Sequence, residues 1–382
     1  MSQFDRSEYE WRIARARDRL SARGLDALLL FAQESHYYLT GYDTTGYVFF
    51  QCAVLTADGS EITLLTRRPD YQQARETSII TDIRIWYDSD DANPAFDLRG
   101  ILEEKGLRGA RIGVELNTYG LTGANWERVR RALEDWCTLE EASDVVRGLR
   151  VVKSPAELAY VKQAARLADE ALVAMMSACQ PGMLDTQVTA VGMNVILGGG
   201  GDMPPSGPLV NSGPRALYGR SVTGAHEICE RDQVTLEFAA TYRRYNVCIM
   251  RTAVVGPVPP RQRVMFETVR EAIEAMTAAA APGRPLGEID DAHRRVFDAA
   301  GHKVNRFSAC GYSLGATYRP SWMDVPPMLF SGNSTPAEPG MVLFLHAMLG
   351  DAEAGLAMSI GHTLVITPDG REVLSHLPHV LD

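Results

Sequence analysis

Several absences narrow the chemistry open to this chain. Its six cysteines, Cys52, Cys137, Cys179, Cys229, Cys248 and Cys310, have no paired spacing, which excludes a CxxC zinc or redox centre and points to free thiols in a reducing compartment. No run of five or more basic residues occurs and the formal charge is −10, so neither nucleic acid nor an anionic membrane is expected as a partner. Apolar runs stay below the ~18 residues that a membrane span requires. The segment MSQFDRSEYEWRIARARDRL is charged almost at once and has no apolar stretch of the signal-peptide kind, so a cytoplasmic protein is expected. The HExxH, GxGxxG and Walker patterns are missing, and with them the signatures of zincins, Rossmann enzymes and P-loop NTPases; no GxSxG elbow, the signature of α/β-hydrolases, is expected either. The glycine run at 198–201 lacks a strand-turn-helix setting and reads as a flexible loop, not a phosphate cradle.

What is present is ordinary globular material. At 382 residues, 46% hydrophobic and 23% charged, the chain can build more than one core, and two domains are expected. Residues 1–152 alternate between helical and strand patterns. Helices are expected over 9–23, 69–75, 98–105 and 126–136, and strands in GLDALLLFA, EITLLT, 83–87, ARIGVEL and near Cys137. The aromatic stretch SHYYLTGYDTTGYVFFQCAVLT also reads as strand. This is an α/β domain. At Ser154-Pro155-Ala156-Glu157 the N-cap serine, first-position proline and third-position glutamate start a long amphipathic helix, and with it a second domain, 153–382. Further helices are expected over 186–197, 261–280 and 286–301, and antiparallel strands at the C-terminal end. Two stretches, GGGGDMPPSGPLVNSGPRALYGRSVTGAH and NRFSACGYSLGATYRPSWMDVPPMLF, read as irregular loops, where binding residues concentrate.

Between those loops lies VTLEFAATYRRYNVCIMRTAVVG, a hairpin turning at YRRYN. Its first strand carries Glu237 between Leu236 and Phe238. A carboxylate there must face a polar cavity or be paired, since burying a bare charge is expensive. Asn246, Arg251, His346 and His362 are likewise flanked by apolar residues. His346, between Leu345 and Ala347, suits a hydrogen-bonded core position as well as a ligand. Several such residues converging on one sheet would make a site.

The succession GLRVVKSPAEL, the NSG loop, the hairpin ending RTAVVG, GYSLG, PGMVLFLH and the terminal strand resembles the creatinase, aminopeptidase P and prolidase superfamily over essentially the whole chain. The resemblance implies a pita-bread C-terminal domain, α+β in class, behind a smaller creatinase-like α/β domain. Metal-dependent members use Asp, Asp, His, Glu and Glu to hold two divalent ions. Those positions fall here on Glu237, Cys248, Tyr312, His346 and Gly361. With one carboxylate among five, no metal and no other cofactor is expected. TYRRYN beside a glutamate, GYSLGATYRPSW and FLHAMLG are similar to the metal-free branch, closest to the ectoine hydrolases and creatinase.

That branch implies hydrolysis of a C–N bond in a small zwitterionic, cyclic amidine, amide or guanidino compound, with Glu237 as nucleophile or base. His346, Tyr312 and His226 are the further catalytic candidates. Tyr242, Tyr318 and Trp322 are candidate aromatic walls, with Asp324, Cys248 and His362 beside them, and Arg215, Arg220 and Arg319 are candidate carboxylate clamps. The resemblance also implies a homodimer. A lyase or cyclase, an Xaa-Pro dipeptidase and a catalytically silent small-molecule binder are the alternatives.

Overall fold

The computed structural model describes residues 3–307 and 309–381. The chain divides into two compact units, one ending at Arg150 and the other starting at Val151.

In the first unit the helices are α1 (Arg6–Arg23), α2 (Gln33–Thr40), α3 (Tyr71–Thr77), α4 (Pro94–Glu104), α5 (Gly123–Ala132) and α6 (Asp144–Arg150). The strands are β1 (Ala27–Leu30), β2 (Cys52–Thr56), β3 (Thr63–Arg67), β4 (Asp82–Trp86), β5 (Arg111–Val114) and β6 (Thr138–Glu141), ordered β4-β3-β2-β1-β5-β6 in one mixed sheet. Alternation along β1 divides the core. Leu28 and Leu30 pack with Leu20, Tyr38 and Val146, while Ala27 and Leu29 pack with Leu98, Ile101 and Val129 on the other face.

One expectation fails here. The aromatic stretch after β1 is the helix α2, and strand resumes only at Cys52. The helix ends where Gly41, at φ 81°, turns its N–H back to the Tyr37 carbonyl. At its start the Glu115 carboxylate accepts from the N–H groups of Phe31 and Ala32 and from the Ser35 hydroxyl, at 3.0, 2.8 and 2.5 Å. Glu115 sits 84 residues away in sequence from Phe31, so this anchor at the helix start is a tertiary contact that local pattern cannot show.

The second unit opens with α7 (Pro155–Ala178), whose predicted capping box is present. Ser154 N–H donates to Glu157 Oε2 at 2.9 Å, and Glu157 N–H donates to Ser154 Oγ at 3.3 Å. There follow α8 (Asp185–Gly198), α9 (Pro260–Ala279) and α10 (Gly287–Ala299). The strands are β7 (Leu209–Ser212), β8 (Asp232–Tyr242), β9 (Tyr245–Val255), β10 (Gly311–Leu314), β11 (Met323–Leu329), β12 (Val342–Asp351), β13 (Leu356–Thr367) and β14 (Gly370–Val373). They form one sheet, β11-β10-β12-β13-β9-β8-β7, with β14 on β13. Both stretches expected to be irregular therefore contribute strands, namely β7, β10 and β11. β7 and β11 are the two edges of the sheet, where the Pro326-Pro327 pair inside β11 is tolerated, and β10 lies between β11 and β12.

The hairpin of β8 and β9 pairs from Asp232 with Val255 to Tyr242 with Tyr245. Arg243 and Arg244 make its two-residue turn at φ 50° and 68°, the left-handed geometry that suits the twist of the strands. One face of the sheet packs Leu343, Leu345, Ala347, Met358 and Ile360 against Phe266, Val269 and Ile273 of α9. The opposite face carries Glu237, Cys248, Tyr312 and His346. No helix among the described residues is long and apolar enough to cross a membrane.

Candidate active site

Strand register assembles the site. Glu237 pairs with Met250, Met250 with Gly361, and Gly361 with His346, one row across β8, β9, β13 and β12. Two residues along, Ala239 pairs with Cys248, Thr363 with Phe344, and Phe344 with Tyr312. Residues two apart share a face. Glu237, Cys248, Tyr312 and His346 thus lie on the side of the sheet away from the α9 core, although up to 109 positions separate them in sequence.

Their hydrogen bonds have a direction. The Trp322 indole can only donate, and it does so to the Tyr312 hydroxyl at 2.8 Å. Tyr312 donates in turn to Glu237 Oε1 at 3.3 Å. Cys248 Sγ lies 3.9 Å from the same hydroxyl, and the His346 ring centroid is 6.2 Å from that of Tyr312. Burial pushes the Glu237 carboxyl up to about 7, with the Tyr312 hydrogen bond and the Arg220 charge pulling the other way. Burial also drives the thiol of Cys248 and the phenol of Tyr312 well above their ordinary values. It holds His346 down to about 4, reinforced by the nearby His293. Near neutral pH the site therefore contains a carboxyl at its midpoint, an un-ionised thiol and phenol, and a neutral imidazole.

Other candidates lie elsewhere. His362 is on the opposite face, between its strand neighbours Gly361 and Thr363. Its Nε2 is 3.0 Å from Thr277 Oγ1 of α9, and its ring stacks on His379 at 5.4 Å. Tyr242 differs from Glu237 by an odd number along β8 and packs against Tyr160 of α7. His226 is placed 3.5 Å from Asp232 Oδ2, at the base of β8. Arg215 donates to Asp185 Oδ2 at 2.9 Å and to the Gly224 carbonyl at 2.7 Å, bracing its loop instead of facing Glu237. Tyr318 is buried, with the Arg244 guanidinium 4.8 Å above its ring. Arg319 is exposed, and Asp324 is buried against Gly315. Arg220 alone of the three arginine candidates acts electrostatically on Glu237.

Gly361 is explained by its neighbours. A Cβ built there would lie 2.7 Å from the Phe344 ring and 2.9 Å from Met250 Cβ. Phe344 fills the space a side chain would need, a role that sequence reading missed. Alternation from His346 along β12 was the signal, because it puts Phe344 on the site face.

The five positions do not fit a pair of divalent cations. They offer one carboxylate, an un-ionised thiol, a phenol, an imidazole and a glycine whose side-chain space is taken, whereas such ions need several anionic oxygens. No group of three or more His, Cys, Asp or Glu that could hold a metal occurs among the described residues. The letters Gly311-Tyr312-Ser313-Leu314-Gly315 also spell the GxSxG pattern of nucleophilic serines. They lie along β10, however, and not on a strand-to-helix elbow, and Ser313 pairs with Leu343 on the core face.

Residues 159–368 match the family model described as metallopeptidase family M24, and residues 12–152 match the creatinase/prolidase N-terminal domain. An uncharacterised hydrolase/peptidase from Sinorhizobium fredii is 26% identical over 388 residues, covering 99% of this chain and 98% of its own length. The ectoine hydrolase of Halomonas elongata is 27% identical over 396 residues, with 99% and 98% covered. Among solved structures, the recombinant prolidase from Thermococcus sibiricus is similar with a TM-score of 0.88 at 21% identity, over 98% of each chain.

Proposed function

This chain belongs to metallopeptidase family M24, with a creatinase-like N-terminal domain and a pita-bread C-terminal domain, and on that premise we propose a metal-independent C–N hydrolase of small non-peptide compounds. It is an enzyme of a hydrolase family. The observation that carries the finer reading is the site itself, where a single carboxylate remains and Phe344 occupies the place of the last one.

Glu237 is the nucleophile. A carboxyl with its midpoint at about 7 is both substantially ionised near neutrality and more basic than an ordinary carboxylate, which favours attack. One Oε forms a bond to the electrophilic carbon of an amide, amidine or guanidino group. The C–N bond breaks with its electron pair going to nitrogen, which takes a proton from solvent. Water then attacks the reacting carbon of the resulting mixed-anhydride adduct, or of its imino analogue when the substrate is an amidine or guanidine. His346, neutral at its value of about 4, accepts the water's proton and returns it to solvent, and Glu237 leaves as a carboxylate. Tyr312, its direction set by Trp322, holds Glu237 in line for attack and stabilises the negative charge that returns to it when it leaves as a carboxylate. Arg220 supplies positive charge for a substrate carboxylate. Ectoine hydrolase among the relatives supports this class of substrate.

The test is intact-mass spectrometry after offering a library of cyclic amidines, amides and guanidino acids. An adduct on Glu237 is expected in the wild type and none in Glu237→Gln. Turnover should fall in that variant by roughly a thousand-fold or more, with binding kept. Chelator should leave wild-type activity intact. Activity lost to chelator and restored by manganese or zinc would overturn the reading.

A further inference from the structure

Strands β8 and β9 pair along their whole length, and every residue of β12 pairs with β13. Between β9 and β13 the register runs only through Arg251 with Ile360 and Met250 with Gly361. Side chains bridge the two strands on both sides of that short ladder, and on one side a side chain takes the place of backbone bonds. Thr363 Oγ1 accepts from the Cys248 N–H at 3.1 Å and donates to the Cys248 carbonyl at 2.7 Å. The Thr252 and Ser359 hydroxyls meet at 2.8 Å. From the core face, Arg251 Nη1 donates to the carbonyls of Met250 and Gly361, both at 2.8 Å.

This seam divides the candidate site. Glu237 and Cys248 lie on the β8–β9 side, and Tyr312, Trp322 and His346 lie on the β12–β13 side. The Tyr312 hydroxyl crosses it to reach Glu237 at 3.3 Å, long for an O–H···O bond. A small opening of the seam breaks that bond, and closure strengthens it. Arg251 clamps the two carbonyls that lie between Glu237 and His346 in their row, and Thr363 satisfies buried backbone groups that are costly to leave unpaired.

We propose that Thr363 and Arg251 are positioning residues, closing this seam and setting the distance at which Tyr312 reaches Glu237. The inference rests on Glu237 as the reacting carboxyl, and its test does not. Isotope-edited infrared titration follows the Glu237 carboxyl, identified by its loss in Glu237→Gln, without any substrate. Thr363→Val, nearly isosteric, is expected to raise the midpoint by about one pH unit, because the carboxylate loses its donor. Thr363→Ser should restore it. Arg251→Met should shift it in the same direction. In a Tyr312→Phe background, Thr363→Val should add nothing, since the residue it acts through is gone. With an accepted substrate, Thr363→Val should lower kcat roughly ten-fold at nearly constant KM. A folded Thr363→Val protein with the wild-type midpoint overturns the proposal, as does an equal shift in the Tyr312→Phe background. An active Glu237→Gln protein would instead overturn the functional reading and leave the seam standing.

Discussion

Glu237 owes its chemistry to the residues around it, not to its own identity. Burial lifts it to about 7, Tyr312 and Arg220 restrain the rise, and Trp322 fixes which way the Tyr312 proton points. The pH dependence follows from ionisation of the nucleophile. Rate should rise with pH through about 7 and then level, with no second limb from His346, which is already neutral above about 4. Tyr312→Phe should move that limb to higher pH and lower kcat/KM roughly ten- to hundred-fold, as measured by a pH–rate profile. An unmoved limb would remove Tyr312 from the mechanism. Much of this cluster was legible in the sequence, because Glu237, Tyr312, Trp322, Cys248 and His346 stand in recognisable strings. His362 and Tyr242 lie outside the cluster, because strand alternation from Gly361 and from Glu237 assigns both to the far face. No such rule governs loops. His226 and Arg215 turn toward Asp232 and Asp185, carboxylates that the linear order does not bring near.

At the scale of the element, β13 contributes an empty position as much as a side chain. Gly361 leaves no room for a side chain because Phe344 and Met250 close over it. Gly361→Glu, which would reinstate the missing carboxylate, is therefore expected to destabilise the protein by about 1–3 kcal/mol through overpacking. Adding Phe344→Ala should recover part of that loss. A double-mutant cycle by urea unfolding checks this, and strictly additive effects would separate the two residues. Helix starts show the other side of local reasoning. The capping box of α7 was readable because its donors and acceptors lie three residues apart. The start of α2 was not, because it has no side-chain cap of its own and the backbone before it is held by Glu115, which follows β5. The strands β7, β10 and β11 were obscured by their own glycine and proline content, and only pairing with neighbours makes them strands.

Across the whole molecule, buried ionisable groups set the pH range of stability. His36, His346 and His379 are held down to about 4 and His362 to about 3. Each binds fewer protons folded than unfolded, so each destabilises as pH falls from about 6.5 toward 4. Glu115 and Glu237 are pushed up to about 7. They act oppositely, favouring the folded state at low pH and losing that contribution as pH rises through about 7. With four histidines against two glutamates, stability should rise by on the order of 4 kcal/mol from pH 4.5 to 6.5 and pass a shallow maximum near 7. Denaturant midpoints across that range test this, and a maximum below pH 5 would contradict it. By itself the sequence determined the two-domain α/β plan, the family and the residue types at the five converging positions, because periodicity, capping and motif spacing are local and survive in one dimension. Only the tertiary structure decided that Tyr312 donates to Glu237, that Phe344 fills the place beside Gly361, and that Thr363 and Arg251 stitch β9 to β13. Those relations depend on strand order and register, which bring distant residues within bonding distance and leave no mark in the chain between them.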